Sequence, residues 1–326
     1  MSHSRDKTTT YQKIVLNYKI LILIAALAII YQIFNYMLPE KEGEMSPIDF
    51  LTAISLIICA IASFIVARKY YRWVVLGPAF LALGIGFASY SVGEIMWYYY
   101  TIVLQIDPYP SFADLFYFAY YPFSIYHLVR NIKFFRPKIN TVTKTWLVGI
   151  PVAIVLFYSY FTFQQEGYSL FDYFFGLPFE VASATAFSFA ILGMQIFRQS
   201  VLAAVWSLLA LGIFLNTAGD LIYYYLEIFG LYTRIHFVNI LWFIAPLIIT
   251  YSLYKHYKIK DAVLANLYYD RFFRQRAQPG FEQDMKKVID EMTSNVEIDT
   301  SYKPELKKED VTKLVREIRK ELQVRK

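Results

Sequence analysis

The sequence is poor in charge, in glycine and in cysteine. Asp, Glu, Lys and Arg together make up 18% of its 326 residues, where a soluble domain of this size carries nearer a quarter. With 57% hydrophobic and 19% aromatic residues alongside, an ordinary water-soluble body is excluded. A single cysteine, Cys59, excludes both a disulfide framework and a thiolate metal site within one chain. It lies inside an apolar block, where a free thiol packs as a small apolar side chain. No lysine occupies the interior of an apolar block, which excludes a retinal Schiff base. Metalloprotease His-Glu-x-x-His, hydrolase Gly-x-Ser-x-Gly and Walker sequences are all missing. Ala218-Gly219-Asp220 lacks the first glycine of the aspartyl-protease Gly-x-Gly-Asp pattern. No catalytic residue and no cofactor is therefore assigned.

What the sequence does have is uninterrupted apolar runs of roughly 20 residues, the length that crosses a bilayer core as a helix. The first, 17–38, is too long for a signal peptide and has no small-residue cleavage site, so it reads as an uncleaved span. The others cover 47–67, 73–100, 111–129, 146–163, 172–197, 200–226 and 234–254, which makes eight. Lys and Arg collect on alternate connections. Arg5, Lys7, Lys13 and Lys19 precede the first span, and Arg68, Lys69 and Arg72 follow the second. Arg130, Lys133, Arg136, Lys138 and Lys144 lie after the fourth, Arg198 after the sixth, and Lys255 and Lys258 after the eighth. The remaining loops are acidic, with only Lys41 and Arg234 opposing. Positive loops stay inside, so both termini are expected in the cytoplasm and the chain in a cell membrane, plasma or inner.

Each outer connection ends in a similar pattern. Ser46 precedes Asp49, Ser111 precedes Asp114, and Ser169 precedes Asp172, always by three residues. That spacing is a capping box, in which the hydroxyl and the carboxylate satisfy backbone amides at a helix start. The acids also face the positive end of the helix dipole. Thr233 and His236 hold the corresponding places before the eighth span.

The most distinctive stretch is Gly93 to Pro122, and a weaker copy runs from Gly219 to Pro246. Spans one to four match spans five to eight in order and sidedness, and an even number per half makes the repeats parallel. The fold class expected is an all-α integral membrane protein. Its eight transmembrane helices form two parallel four-helix repeats with both termini inside. Residues 1–130 form the first repeat, 131–258 the second, and 259–326 a cytoplasmic helical tail.

Gly93-Glu94, Trp97, Pro110-Ser111-Phe112-Ala113-Asp114, Tyr117 and Tyr121-Pro122 carry a resemblance. The stretch is similar to the polytopic membrane input regions that precede diguanylate cyclase and histidine kinase modules. The resemblance covers spans three and four well and the rest by general layout. It implies a sensory role with an output domain following. No Gly-Gly-Asp-Glu-Phe cyclase motif, kinase ATP lid or phosphoacceptor helix occurs after Lys258, so the output is expected from a partner.

Three acids are not explained by caps. Glu94 and Asp220 sit at equivalent places in the two copies, each after a glycine, and Glu180 lies two to three turns into span six, just after Pro178. Intramembrane acids are costly and usually face a bundle interior or a wet cavity. Glu94, Glu180 and Asp220, with His236 and Asn239, are expected to line an outward-facing polar cavity between the halves. An excess of acid there favours a cationic ligand, a metal ion or a proton. A metal is the weaker of these, since carboxylate-dominated sites hold hard ions loosely. Trp97, Tyr98, Tyr99, Tyr223, Tyr224 and Trp242 stand nearby, either as a cation cage or as an interfacial aromatic belt. Two readings stand for the acids as well. Glu94 and Asp220 are either site residues or solvated interface residues, and Glu180 is either a site residue or a hydrogen-bonded packing residue. His127 is alone in its span and reads as packing.

After span eight, Tyr268, Tyr269, Phe272 and Phe273 alternate with Arg271, Arg274 and Arg276, a composition suited to the headgroup region of anionic lipid. Two short amphipathic segments follow, one with Phe281, Met285, Val288, Ile289 and Met292 and one with Val311, Leu314, Val315, Ile318 and Leu322 on a face. Residues 281–326 thus suit a cytoplasmic signalling protein, a second copy of the chain or each other as cover, the other reading being a partly disordered, solvated tail. Acids interleave with the bases despite the formal net charge of +6, which excludes a dedicated nucleic-acid surface. The leading expectation is a sensory or signalling receptor-like module. The alternatives are a small-solute or cation transporter and a non-catalytic subunit of a membrane complex.

Overall fold

A run of about 20 apolar residues in lipid has one economical conformation, because only a helix satisfies every backbone polar group within the segment. The computed structural model describes residues 16–37, 49–71, 75–134, 139–167, 169–198, 202–233 and 235–258, and every regular element among them is helical. These are α1 (Tyr18–Met37), α2 (Asp49–Lys69), α3 (Leu76–Tyr98), α4 (Phe112–Phe134), α5 (Thr141–Gln164), α6 (Leu170–Phe197), α7 (Ala203–Ile228) and α8 (Val238–Lys258). Seven of them are long and apolar enough to cross a membrane. The exception is α4. Its 23 residues equal α3 in length, but its tyrosines and its polar Asp114, His127 and Asn131 lower its apolarity. The chain is thus an all-helical, membrane-embedded protein, and its described residues fall in one body, Met1–Leu267.

Helix ends follow local chemistry. A π-helical segment, Tyr99–Leu104, prolongs α3 and stops at Gln105, whose φ of 52° places it in the left-handed region. The box predicted at α4 is present: the Asp114 carboxylate accepts from the Ser111 amide at 2.7 Å and the Ser111 hydroxyl from the Ala113 amide at 3.1 Å. At α6 the Ser169 hydroxyl accepts from the Phe171 amide at 3.1 Å, while Asp172 accepts from the Tyr109 hydroxyl at 3.1 Å. The last span begins and ends four residues later than the apolar run suggests. Turn bonds from His236 to Thr233 and from Asn239 to His236 precede it, and it continues through Lys258 because His256 still faces the core. Ser46, and with it the predicted box at α2, Arg234 and the tail segments, including 281–326, lie outside the described residues.

Six helices close a ring in the order α2, α3, α4, α6, α7, α8 and back to α2, each packed on the next. The main core cluster, with Leu56, Phe80, Phe87, Leu128, Leu192 and Trp206 among its buried members, draws on all six. The other two helices stand outside, α1 against α8 and α5 against α6 and α7. Of α1 only Ile24, Tyr31 and Asn35 are buried, and of α5 only Tyr158 and Thr162. Helices apolar all round yet buried along one narrow stripe fit lipid as the solvent for the rest.

α1 runs antiparallel to α8. The Asn17 amide donates to the Tyr251 hydroxyl at 2.7 Å, and the Gln32 amide to the Ile235 carbonyl at 2.8 Å. The start of α1 and the end of α8 therefore share one end of the bundle. Lys69 joins them there, donating to the Tyr257 carbonyl at 2.7 Å with its ammonium 3.8 Å from the centre of the Tyr257 ring.

Two helix pairs approach unusually closely. A Cβ at Gly86 of α3 would stand 3.2 Å from the Tyr120 carbonyl of α4, and one at Gly212 of α7 would stand 3.0 Å from the Ala245 carbonyl of α8. In each pair a second glycine follows seven residues later, Gly93 or Gly219. Gly93 and Gly219 each stand immediately before one of the predicted acids, Glu94 or Asp220.

Candidate functional site

Asp220 follows Gly219 on α7, and the missing side chain of the glycine decides what reaches the acid. The Trp242 ring of α8 lies across Gly219, where a Cβ would meet its indole nitrogen at 2.8 Å. That nitrogen donates to Asp220 Oδ1 at 2.9 Å. The other oxygen, Oδ2, accepts from the Ser183 hydroxyl of α6 at 2.6 Å, the Tyr121 hydroxyl of α4 at 2.8 Å and the Asn216 amide of α7 at 3.1 Å. Four helices meet at one carboxylate that is only 6% exposed. Thr217 closes the network, its hydroxyl 3.0 Å from that of Ser183. Four donors on one carboxylate are the pattern that holds an anion inside a protein.

Glu94 has the corresponding arrangement on α3. The Tyr117 ring of α4 lies across Gly93, where a Cβ would stand 2.8 Å from it, and Tyr98 and Tyr117 are the electrostatic neighbours of Glu94. In both copies the glycine admits an aromatic ring from the next helix beside the following acid. The two acids are joined by tyrosines. Tyr90 packs on Tyr117 at 5.4 Å and on Tyr120 at 5.3 Å, and Tyr120 on Tyr121 at 5.2 Å between ring centres. This layer begins at the partner of Glu94 and ends at a partner of Asp220.

Glu180 is different. It is 0% exposed, and neither carboxyl oxygen has a hydrogen-bond partner. It lies ten residues into α6, ~15 Å from the helix start and three residues before Ser183. Its electrostatic neighbour is Asp220. Pro178, two residues earlier, interrupts the helix ladder at this depth.

The remaining predicted residues are placed as follows. His236 caps α8, its Nδ1 accepting from the Val238 amide at 3.4 Å. Asn239 accepts from the Tyr232 hydroxyl at 3.1 Å. Trp97 lies 6.4 Å from Tyr117 between ring centres. The structure thus brings Glu180 and Asp220 together and connects Glu94 to them through rings. It uses His236 and Asn239 in the turn and first residues of α8. Asp220 and Glu180 are packed among side chains rather than facing an open cavity. Among the described residues no group of three or more His, Cys, Asp or Glu is placed to hold a metal ion.

A second polar centre was not anticipated. His127 of α4 and His256 of α8 lie on either side of Phe80, each 4.8 Å from it between ring centres. His127 Nδ1 lies 3.0 Å from the Ala79 carbonyl, Asn131 donates to the His127 carbonyl at 2.8 Å, and His256 Nδ1 lies 3.3 Å from the Tyr70 hydroxyl. A cavity of ≈ 10 Å³, about the space of one water, opens between His127, Asn131, Ser252 and His256. Trp242 and His256 are 14 residues apart on α8, so the two centres stand ~21 Å apart along it. No family model, no curated protein and no solved structure matches this chain.

Proposed function

We propose that the chain is a sensory or signalling receptor-like module of a cell membrane, with both termini cytoplasmic and eight spans arranged as two parallel repeats. Its recognition centre is the Asp220 network, and its output is the cytoplasmic tail. The observation that carries this reading is the meeting of α4, α6, α7 and α8 at one carboxylate. A change in the charge or partners of Asp220 biases four helices at once, and α8 leads directly into residue 259 and the tail. Such a junction is the kind of element through which a local electrostatic event is read at a distance.

The duplicated design has its own support. Exchanging α2, α3 and α4 with α6, α7 and α8 preserves every contact around the ring. The glycines at 86 and 93 and those at 212 and 219 have the same spacing. The outer helices depart from the symmetry, α1 sitting on α8 while α5 sits on α6 and α7. Basic residues in the last turns of α2, α4 and α8 support a cytoplasmic location for that end of the bundle.

Transport is the second reading, favoured by the His127–His256 centre, which puts polar groups in the half of the bundle away from Asp220. Spin labels at the α4 and α8 ends nearest Lys258, with the full chain in lipid nanodiscs, test the receptor reading. Asp220→Asn is expected to change the distance between them, and truncation after Lys258 to abolish any cellular output. If the distance stays fixed and the truncated chain still moves a solute into proteoliposomes, transport replaces signalling.

A further inference from the structure

We propose that Glu180 is a proton-binding site, a buried carboxylic acid that takes up and releases one proton beside the fixed charge of Asp220. This rests on the reading of the Asp220 network as the recognition centre, and it names the ligand of that centre.

The two acids are unequally satisfied. Asp220 has four donors, whereas Glu180 has none on either oxygen and no exposure to solvent. An unpaired ionised carboxylate in such a place costs far more than a neutral acid. Among the described residues, the groups placed near it offer no cation. Asp220 and Tyr224 of α7 are within electrostatic reach. From α4, Tyr121 packs 6.3 Å from Phe179, the residue preceding Glu180. From α5, the Tyr158 hydroxyl reaches Gly176, one turn before Glu180. These groups on the helices packed against α6 are an acid and three phenols, none of them a cation, so Glu180 as placed holds its proton.

A metal ion suits the site less well. Hard cations need six or more oxygen ligands, whereas Asp220 Oδ2 is already committed to Tyr121, Ser183 and Asn216. A proton needs only one oxygen, and Glu180 has two without partners. Loss of that proton would set two negative charges together, and the pair would relax through Asp220, whose partners lie on four helices. One protonation event then reaches the whole outer half of the ring.

Infrared difference spectroscopy on the full chain in nanodiscs, stepped in pH in H₂O and D₂O, tests this directly. The wild type should show a protonated-carboxyl stretch, shifted by deuteration, that disappears as pH rises. Glu180→Gln should remove it, and Glu180→Asp should keep it at a different frequency, which assigns the band without deleting the acid. Asp220→Asn should retain the band but move the pH at which it disappears. The same band in Glu180→Gln, no such band in the wild type, or a band that responds to sodium at constant pH would overturn the proposal. Because the spectrum reports the proton and not the tail, a failed signalling assay leaves this result standing, and the reverse also holds.

Discussion

Trp242 donates its indole N–H to Asp220 at 2.9 Å across the bare backbone of Gly219. Tyr117 lies across Gly93 in the same way, beside Glu94, so the glycine before each acid has a definite task. It makes room for the ring that packs beside the acid. Gly219→Ala would put a methyl group 2.8 Å from the indole nitrogen, and overpacking of this kind costs about 1–3 kcal/mol. Gly149→Ala on α5 meets nothing within 4 Å, and the substitution should be neutral or slightly stabilising on helix propensity. Thermal unfolding in detergent, followed by tryptophan fluorescence, should separate the two variants clearly. Equal midpoints would mean that the α7–α8 contact is looser than described.

Removing Asp220 leaves Tyr121, Ser183, Asn216 and Trp242 facing an empty acceptor position. A hydrogen bond to a charged group contributes about 1.5–3 kcal/mol, and a buried donor left without a partner carries its own penalty. Asp220→Ala should therefore be the most damaging single change among the three acids, costing at least about 3 kcal/mol. Glu94 sits at a partly buried position beside Tyr98 and Tyr117, and Glu94→Ala should cost less. Denaturant or thermal midpoints of the two variants in the same detergent check the order. A reversal would move the centre of the network from α7 to α3.

The spans were legible because apolarity persists for about 20 residues at a time, and the acids because lipid makes each one conspicuous. Glu94 and Asp220 were further marked by the repeated glycine before them. The donors to Asp220 were not legible as a set. They come from residues 121, 183, 216 and 242, and nothing local says that α4 packs on α6 rather than on α5. His127 looked solitary for the same reason. Its neighbour His256 is 129 positions away, and the two meet only when the ring closes around Phe80. The peripheral places of α1 and α5 were hidden too, since a lipid-facing helix and a ring helix are both apolar all round. Capping was readable at α4 because it depends on spacing alone; at α6 only Ser169 caps as expected, since Asp172 accepts from Tyr109 instead.

The second polar centre should be energetically coupled. Tyr70 follows α2 and His256 belongs to the last turn of α8, and their polar atoms lie 3.3 Å apart with both residues buried. A double-mutant cycle with Tyr70→Phe and His256→Gln isolates the pair from the packing around it. A coupling energy of about 0.5–1.5 kcal/mol is expected for a hydrogen bond of this kind. Strict additivity would leave α2 and α8 held at this end by Lys69, Tyr257 and ring packing alone.

Glu180 and Ser183 are one turn apart on α6, and they should respond in opposite ways to removal of their polar atoms. Ser183→Ala deletes a 2.6 Å donor to Asp220, at about 1.5–3 kcal/mol for a bond to a charged group. Glu180→Met deletes two oxygens that bond to nothing and keeps an unbranched side chain of similar reach. Replacing a buried ionisable group by a packed apolar one is often neutral or stabilising, so the Met variant should unfold at the wild-type temperature or above it. A loss of more than about 2 kcal/mol in Glu180→Met would assign the acid a structural partner. If stability is retained instead, packing does not account for Glu180. An acid placed where lipid and protein both disfavour it, and needed by neither the fold nor its neighbours, is then kept for its proton.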